Sequence, residues 1–280
     1  MSNYSINFTN GTYDLKTGIF TYCKPDGIHT GYDYLPYYEN SMYAKKVDDF
    51  FEKIFPDIQT REYFLSILAE CLVGQTNKQA IYILFGTGSN GKTVLMNLIN
   101  YAFGSYFSVL PNWLLAKYED ESQDGIEQKF DFDVSQKDIR IGLIQEPASN
   151  GLYFGKLKSV VGRDDMLYMN TEKDELEIHK PNFVPFLTLN SLAGIDGEAA
   201  LWRRLKVIPC NSVFTTHCTI QPNQFVADLN LSEEIKIWRQ SFMGKLITVY
   251  NQNLNNPTAM PDNLKTFNRE CREKLMSVEY

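Results

Sequence analysis

Eight consecutive residues, Gly86, Thr87, Gly88, Ser89, Asn90, Gly91, Lys92 and Thr93, match the pattern GxxxxGK[ST]. The glycines at 86, 88 and 91 let the backbone curl until successive N–H groups face one point, and such a concavity binds phosphate oxygens. A helix leaving the loop would aim the positive end of its dipole at the same place. In that arrangement Lys92 reaches the β and γ phosphates of a nucleotide, and the Thr93 hydroxyl holds Mg2+. The chemistry on offer is nucleotide binding and phosphoryl transfer, with ATP and Mg2+ as the expected cofactors.

The pattern carries meaning only where a buried strand enters it and a helix leaves it. Residues 80–85 form the continuous apolar run of a strand buried on both faces, and Val94, Leu95, Leu98 and Ile99 recur at helical spacing. Similar runs at 139–144, 183–189 and 205–209 are separated by stretches long enough for crossover connections. The fold class expected is therefore α/β, with a central parallel sheet in a core spanning 80–212.

Around that core the chain divides into three further parts. Residues 1–44 are rich in Tyr, Gly and Asp, with turn signals at Asn10-Gly11, Thr17-Gly18 and Pro25-Asp26-Gly27, and predict a small β-rich segment. Residues 45–79 carry apolar positions at helical spacing, interrupted at Pro56-Asp57, and predict a helical collar. Residues 213–280 predict C-terminal helices, one from Leu231 and one from Leu264 after Pro261. The end at Glu279-Tyr280 shows no domain terminator, so the sequence reads as part of something longer.

A net charge of −7 disfavours a protein that coats nucleic acid nonspecifically, because that binding rests on Lys and Arg neutralising phosphates. Any nucleic-acid site must be local. The chain has no apolar stretch of membrane-spanning length and no secretory signal, which predicts a soluble, cytoplasmic protein without a membrane partner. The five cysteines are an odd number with no CxxC pair, and with only three histidines they support neither a disulfide framework nor a zinc site.

The loop alone leaves several activities open. Guanine-specific proteins carry an Asn-Lys-x-Asp motif downstream of the loop, whereas Asn77-Lys78 here lies upstream and lacks the Asp. A small-molecule kinase or phosphotransferase stays open, as does a nucleotide-dependent assembly module that binds DNA without translocating.

Further segments follow in a fixed order. Ile6-Asn7-Phe8, Asn10-Gly11, Tyr13-Asp14, Lys24-Pro25-Asp26 and Tyr32-Asp33-Tyr34 precede the loop. After it come an apolar run ending in Gln145-Glu146, the segment Lys156 to Asp164, and apolar stretches on either side of Thr171-Glu172-Lys173-Asp174. Phe183 to Asn190 and then Trp202-Arg203-Arg204 complete the series. This order resembles superfamily 3 helicases, specifically the helicase part of poxvirus-type and phage or plasmid primase-helicases.

The resemblance implies an AAA+-like ATPase core assembled as a homo-oligomeric ring, in the family a hexamer, that translocates on single-stranded DNA. It assigns Glu146 to Mg2+ or the attacking water, although Gln145 stands where many ATPases have a second acid. Asn190 becomes the γ-phosphate sensor, and Arg203 or Arg204, with Arg203 preferred, the arginine finger supplied to a neighbouring subunit. A hairpin bearing Lys173 at its tip becomes the DNA grip, with Lys156 and Lys158 ahead of it as further DNA contacts. A primase domain or other replication proteins are implied as partners, while no acidic catalytic cluster of a primase is visible ahead of the loop. The family's viral members also make a host-cell cytoplasmic replication site the expected location.

Overall fold

A computed structural model describes residues 3–38, 41–74, 79–115, 138–147, 152–162, 166–170, 175–179, 183–196, 199–216, 221–254, 256 and 258–276. The chain opens with an antiparallel meander, β1 (Ser5–Phe8), β2 (Gly11–Asp14) and β3 (Ile19–Tyr22). Ile6 and Phe8 are fully buried, and the Phe8 ring packs edge-on against Phe20 and Tyr32. Two helices follow, α1 (Met42–Ile54) and α2 (Ile58–Glu70). The Ser41 and Asp57 side chains accept from the Ala44 and Thr60 N–H groups, so each helix starts at a side-chain cap, and Pro56 separates the two.

The phosphate-loop strand β4 (Ile81–Phe85) leads into α3 (Lys92–Phe103), and β5 (Phe107–Val109) and β6 (Ile141–Gln145) come next. Then come β7 (Leu152–Tyr153), α4 (Gly155–Gly162), the strand pair β8 (Met166–Asn170) and β9 (Glu175–His179), and β10 (Val184–Leu189). The remaining elements are β11 (Ile195–Asp196), α5 (Ala199–Trp202), β12 (Leu205–Pro209), β13 (Val213–Thr215), β14 (Gln224–Val226), α6 (Leu231–Asn253) and α7 (Asp262–Met276).

Five strands make one central sheet in the order β12-β4-β10-β6-β5, and every neighbouring pair is parallel. The β10 strand is buried at all six positions, which is why five of its six residues are apolar, Thr188 being the exception, instead of alternating. Three of the four core runs become strands within two residues of their expected ends, and 205–209 matches its strand residue for residue. The edge strand β5 is an addition; three residues carry too little pattern to be read from sequence.

Two contacts hold the sheet to its surroundings. On the outer edge, the Asn268 amide of α7 donates to the Val207 carbonyl oxygen at 2.8 Å and accepts the Val207 N–H at 2.7 Å, completing β12 as a further strand would. On the other side the buried Arg140, just ahead of β6, donates to the carbonyl oxygens of Ser5 and Leu72 and lies 4.2 Å from the Tyr106 ring centroid. It thereby ties the meander and the end of α2 to the sheet. Helix α6, 23 residues long, packs against α1, α2 and α3, with the Phe51 and Phe242 rings stacked at 5.1 Å.

Candidate functional site

Parallel pairing puts the carboxyl ends of all five strands on one edge of the sheet. In register, Phe85 lies between Leu189 and Pro209, and Gln145 pairs with Thr188. Gly86, Glu146, Asn190 and Cys210 are the next residues on their strands, so they converge. Residues outside the carboxyl ends of an open α/β sheet, where the strand order reverses, are where ligands bind such folds.

A cavity of about 330 Å³ opens there, lined by Gly88 to Thr93, Glu146 and Asn190 on the sheet side. The loop keeps an unusual backbone: φ is +112° at Gly88, +50° at Ser89 and +76° at Gly91. The last of these positions tolerates only glycine without rearrangement, since a Cβ there would lie 2.4 Å from the Ile54 Cδ1 and 3.1 Å from the Phe214 Cε2. Gly91 is also the residue capping α3, and it offers no side chain to the first-turn N–H groups. A helix N-terminus without a side-chain cap is of the kind that suits an anion.

Lys92 is 6 % exposed, and its ammonium donates to the Gly86 carbonyl oxygen at 2.6 Å and to Asn90 Oδ1 at 3.3 Å. Burial lowers its pKa below the ordinary lysine value, against the pull of the Cys210 sulfur and the Glu146 carboxylate. Burial pushes the Cys210 thiol up to about 12, so that sulfur is uncharged at neutral pH. Thr93, Glu146 and Asn190 are exposed toward the cavity. Among the described lining residues Lys92 is the only cation, facing the acids Glu146 and Asp228.

The far wall of the cavity was not legible in the sequence. Phe50 and Ile54 of α1, Phe214 of β13, and Leu231 of α6 supply an apolar surface beyond the loop. Phe50 and Ile54 read locally as collar core. Phe214 had a usable signal, since it lies just past the carboxyl end of a core strand.

The other expected site residues lie elsewhere. Arg203 and Arg204 precede β12, whose first pair is Leu205 with Ile81, at the opposite sheet edge from the loop. Four residue steps at about 3.3 Å each separate the two edges by roughly 13 Å of strand. Arg203 is exposed, whereas Arg204 donates to the Ala200 carbonyl oxygen at 3.1 Å and to Gln79 Oε1 at 3.3 Å. The strands β8 and β9 pair antiparallel from Met166↔His179 to Asn170↔Glu175, the hairpin expected around Lys173. Lys173 itself lies outside the described residues. Lys156 and Lys158 belong to α4.

No family model matches the chain. Among curated proteins it is 33 % identical over 288 aligned positions to "Putative helicase L207/L206" of Acanthamoeba polyphaga mimivirus, covering 96 % of this chain and 30 % of that protein. It is 29 % identical to "Putative helicase 184R" of Invertebrate iridescent virus 6, over 75 % of this chain and 22 % of the relative. A shorter match, 30 % identical over 36 % of the chain and 14 % of the relative, joins it to "Primase D5" of Fowlpox virus. These likenesses support a viral helicase family. The chain spans less than a third of the length of each of these helicase-named and primase-named relatives. Among solved structures, the apo NrS-1 C-terminal region (305–718) aligns with a TM-score of 0.57 at 17 % identity, over 91 % of this chain and 57 % of that one, a likeness of fold.

Proposed function

We propose that this chain is the ATP-hydrolysing domain of a DNA helicase of superfamily 3, with an AAA+-like core that works as a ring. The observation that carries the reading is the convergence of Lys92, Thr93, Glu146 and Asn190 on one cavity from the ends of neighbouring parallel strands. In this reading the uncapped N-terminus of α3 and Lys92 receive the phosphates, and the apolar wall of Phe50, Ile54, Phe214 and Leu231 receives the base.

Thr93 and Glu146 offer the hard oxygen ligands that Mg2+ prefers, and among the described residues no cluster of three or more His, Cys, Asp or Glu could hold a metal unaided. Mg2+ characteristically shares its ligation with nucleotide phosphates, so the two oxygen donors fit it; when bound it would neutralise phosphate charge. Glu146 and Asn190 would orient the attacking water.

One lysine is little countercharge for a triphosphate, and the two arginines stand at the opposite sheet edge. Both facts favour a neighbouring protomer as the donor of a second cation, Arg203 being the exposed candidate. The β8–β9 hairpin would then carry Lys173 toward single-stranded DNA, with Lys156 and Lys158 nearby in sequence. Several copies of a basic tip around one channel would give a local positive path on an acidic protein. ATP hydrolysis measured with and without single-stranded DNA tests the whole reading. A motor is stimulated severalfold, whereas a small-molecule kinase or a static DNA-binding module shows no such rise.

A further inference from the structure

The side chain of Asn90 is 4 % exposed and turned beneath the phosphate loop instead of toward solvent. Its Oδ1 accepts the Gly88 N–H at 2.8 Å and the Lys92 ammonium at 3.3 Å, while its Nδ2 donates to the Ser212 carbonyl oxygen at 2.7 Å. The fully buried Ser212 in turn donates its hydroxyl to the carbonyl oxygen of Ile54, the last residue of α1, at 3.3 Å. These partners fix which end of the amide is which, because two donors face one atom and a carbonyl faces the other. The amide also explains Gly86: a Cβ there would lie 2.6 Å from Asn90 Oδ1 and 2.9 Å from the Cys210 carbonyl oxygen.

We propose that Asn90 is a positioning residue that holds the loop in its phosphate-receiving shape and fixes the end of Lys92, anchored through Ser212 to the collar helix α1. A single oxygen accepts from a loop N–H and from the lysine ammonium, the two kinds of donor that a phosphate oxygen would engage, and adds a second acceptor to the one the Gly86 carbonyl gives Lys92. An aspartate in its place keeps the acceptor but loses the donor to Ser212 and sets a negative charge against Lys92. An alanine removes both. The functional side of the proposal rests on the nucleotide-binding reading; the contact between Asn90 and Lys92 does not.

The test therefore has a nucleotide-free arm. Labelling of the Lys92 amine by trinitrobenzenesulfonate at one fixed pH, followed by mass spectrometry, reads how firmly the amine is held in the wild type, Asn90→Ala and Asn90→Asp. Thermal melting checks that each variant is folded. Asn90→Ala should label about threefold to tenfold faster, the scale of one lost hydrogen bond, and Asn90→Asp more slowly than the wild type, because a carboxylate holds the ammonium more tightly than an amide oxygen does. Opposite directions mark an electrostatic contact. No change in either variant, or the same direction in both, overturns the proposal; should Asn90→Ala fail to fold, the slower labelling of Asn90→Asp decides.

In the second arm both variants should bind Mg-ADP about tenfold more weakly, the loss expected for a hydrogen bond to a charged group. Wild-type affinity in both variants overturns the positioning role. A wild type that binds no Mg-ADP sinks the nucleotide reading instead, and leaves the labelling result to judge the Asn90–Lys92 contact.

Discussion

Glu146 and Thr188 are joined across neighbouring strands: the Glu146 N–H donates to the Thr188 carbonyl oxygen at 3.2 Å, two residues before Asn190. The bond continues the β6–β10 ladder one step past its last regular pair and turns Glu146 into a backbone with φ of +39°. A non-glycine residue in that region is strained, and such strain persists where the surroundings enforce it. Glu146 and Asn190 both line the cavity that the phosphate loop borders.

If that carboxylate orients water, Glu146→Gln should still bind ATP while hydrolysis falls by roughly a hundredfold or more, the scale of a lost general base. Nucleotide binding by calorimetry and phosphate release measured on the same preparation separate the two effects. Equal loss of both would reassign Glu146 to holding the loop.

The lowered pKa of Lys92 predicts a pH dependence with a definite sign. Burial favours the neutral amine, so on raising the pH the ammonium loses its proton earlier than an ordinary lysine near 10.5. Phosphate affinity that depends on the ammonium is complete below the shifted pKa and declines as the pH rises through it. Mg-ADP affinity should thus begin to fall on the alkaline side before the ordinary lysine range. A Lys92→Arg protein, which cannot lose its proton there, should show no such fall.

At Gly91 the expectation concerns stability. With φ at +76° and a would-be Cβ 2.4 Å from the Ile54 Cδ1, Gly91→Ala meets backbone strain and a side chain that must move. Ile54 is flexible at its end, so the combined cost is about 1–2 kcal/mol, a fall in Tm of roughly 3–6 °C. Nucleotide-free melting curves read this without reference to any activity.

The sheet was legible because parallel strands buried on both faces read as nearly continuous apolar runs, as the stretch around Phe186 and Leu187 does. The loop was legible because its chemistry is local to eight residues. The cavity's far wall was not, because Phe50, Phe214 and Leu231 come from three elements brought together only by tertiary packing, and each alone resembles core. Asn90 is an intermediate case. Its position sits inside the motif, yet nothing in the pattern says that an amide there turns inward to meet Ser212. Short strands such as β13 and β14 escaped because three residues hold no readable period.

The hairpin prediction rests on the antiparallel register of β8 and β9 that brackets Lys173. Lys173→Ala should keep ATP hydrolysis in the absence of DNA and lose strand separation, with stimulation by single-stranded DNA much reduced. Unwinding at the wild-type rate would take the DNA grip away from this hairpin and leave Lys156 and Lys158 on α4 as the next residues to substitute.

Arg203 and Arg204 raise the question that most directly tests a ring. They stand at the amino end of β12 while the loop stands at the carboxyl end of β4, its parallel neighbour, so neither guanidinium reaches the phosphate loop of its own chain within a side chain's length. Arg204 is already engaged with Ala200 and Gln79, and replacing it exposes those partners; Arg203, exposed, is free of that structural cost. Arg203→Ala should therefore melt like the wild type and yet hydrolyse ATP at least a hundredfold more slowly, the scale set by arginine fingers elsewhere. Mixed with Lys92→Ala protein, which has a defective loop but an intact arginine, it should regain part of that activity, because some interfaces then pair a sound loop with a sound arginine. A mixture no more active than its two components would place the arginine's role within its own chain and remove the need for a ring.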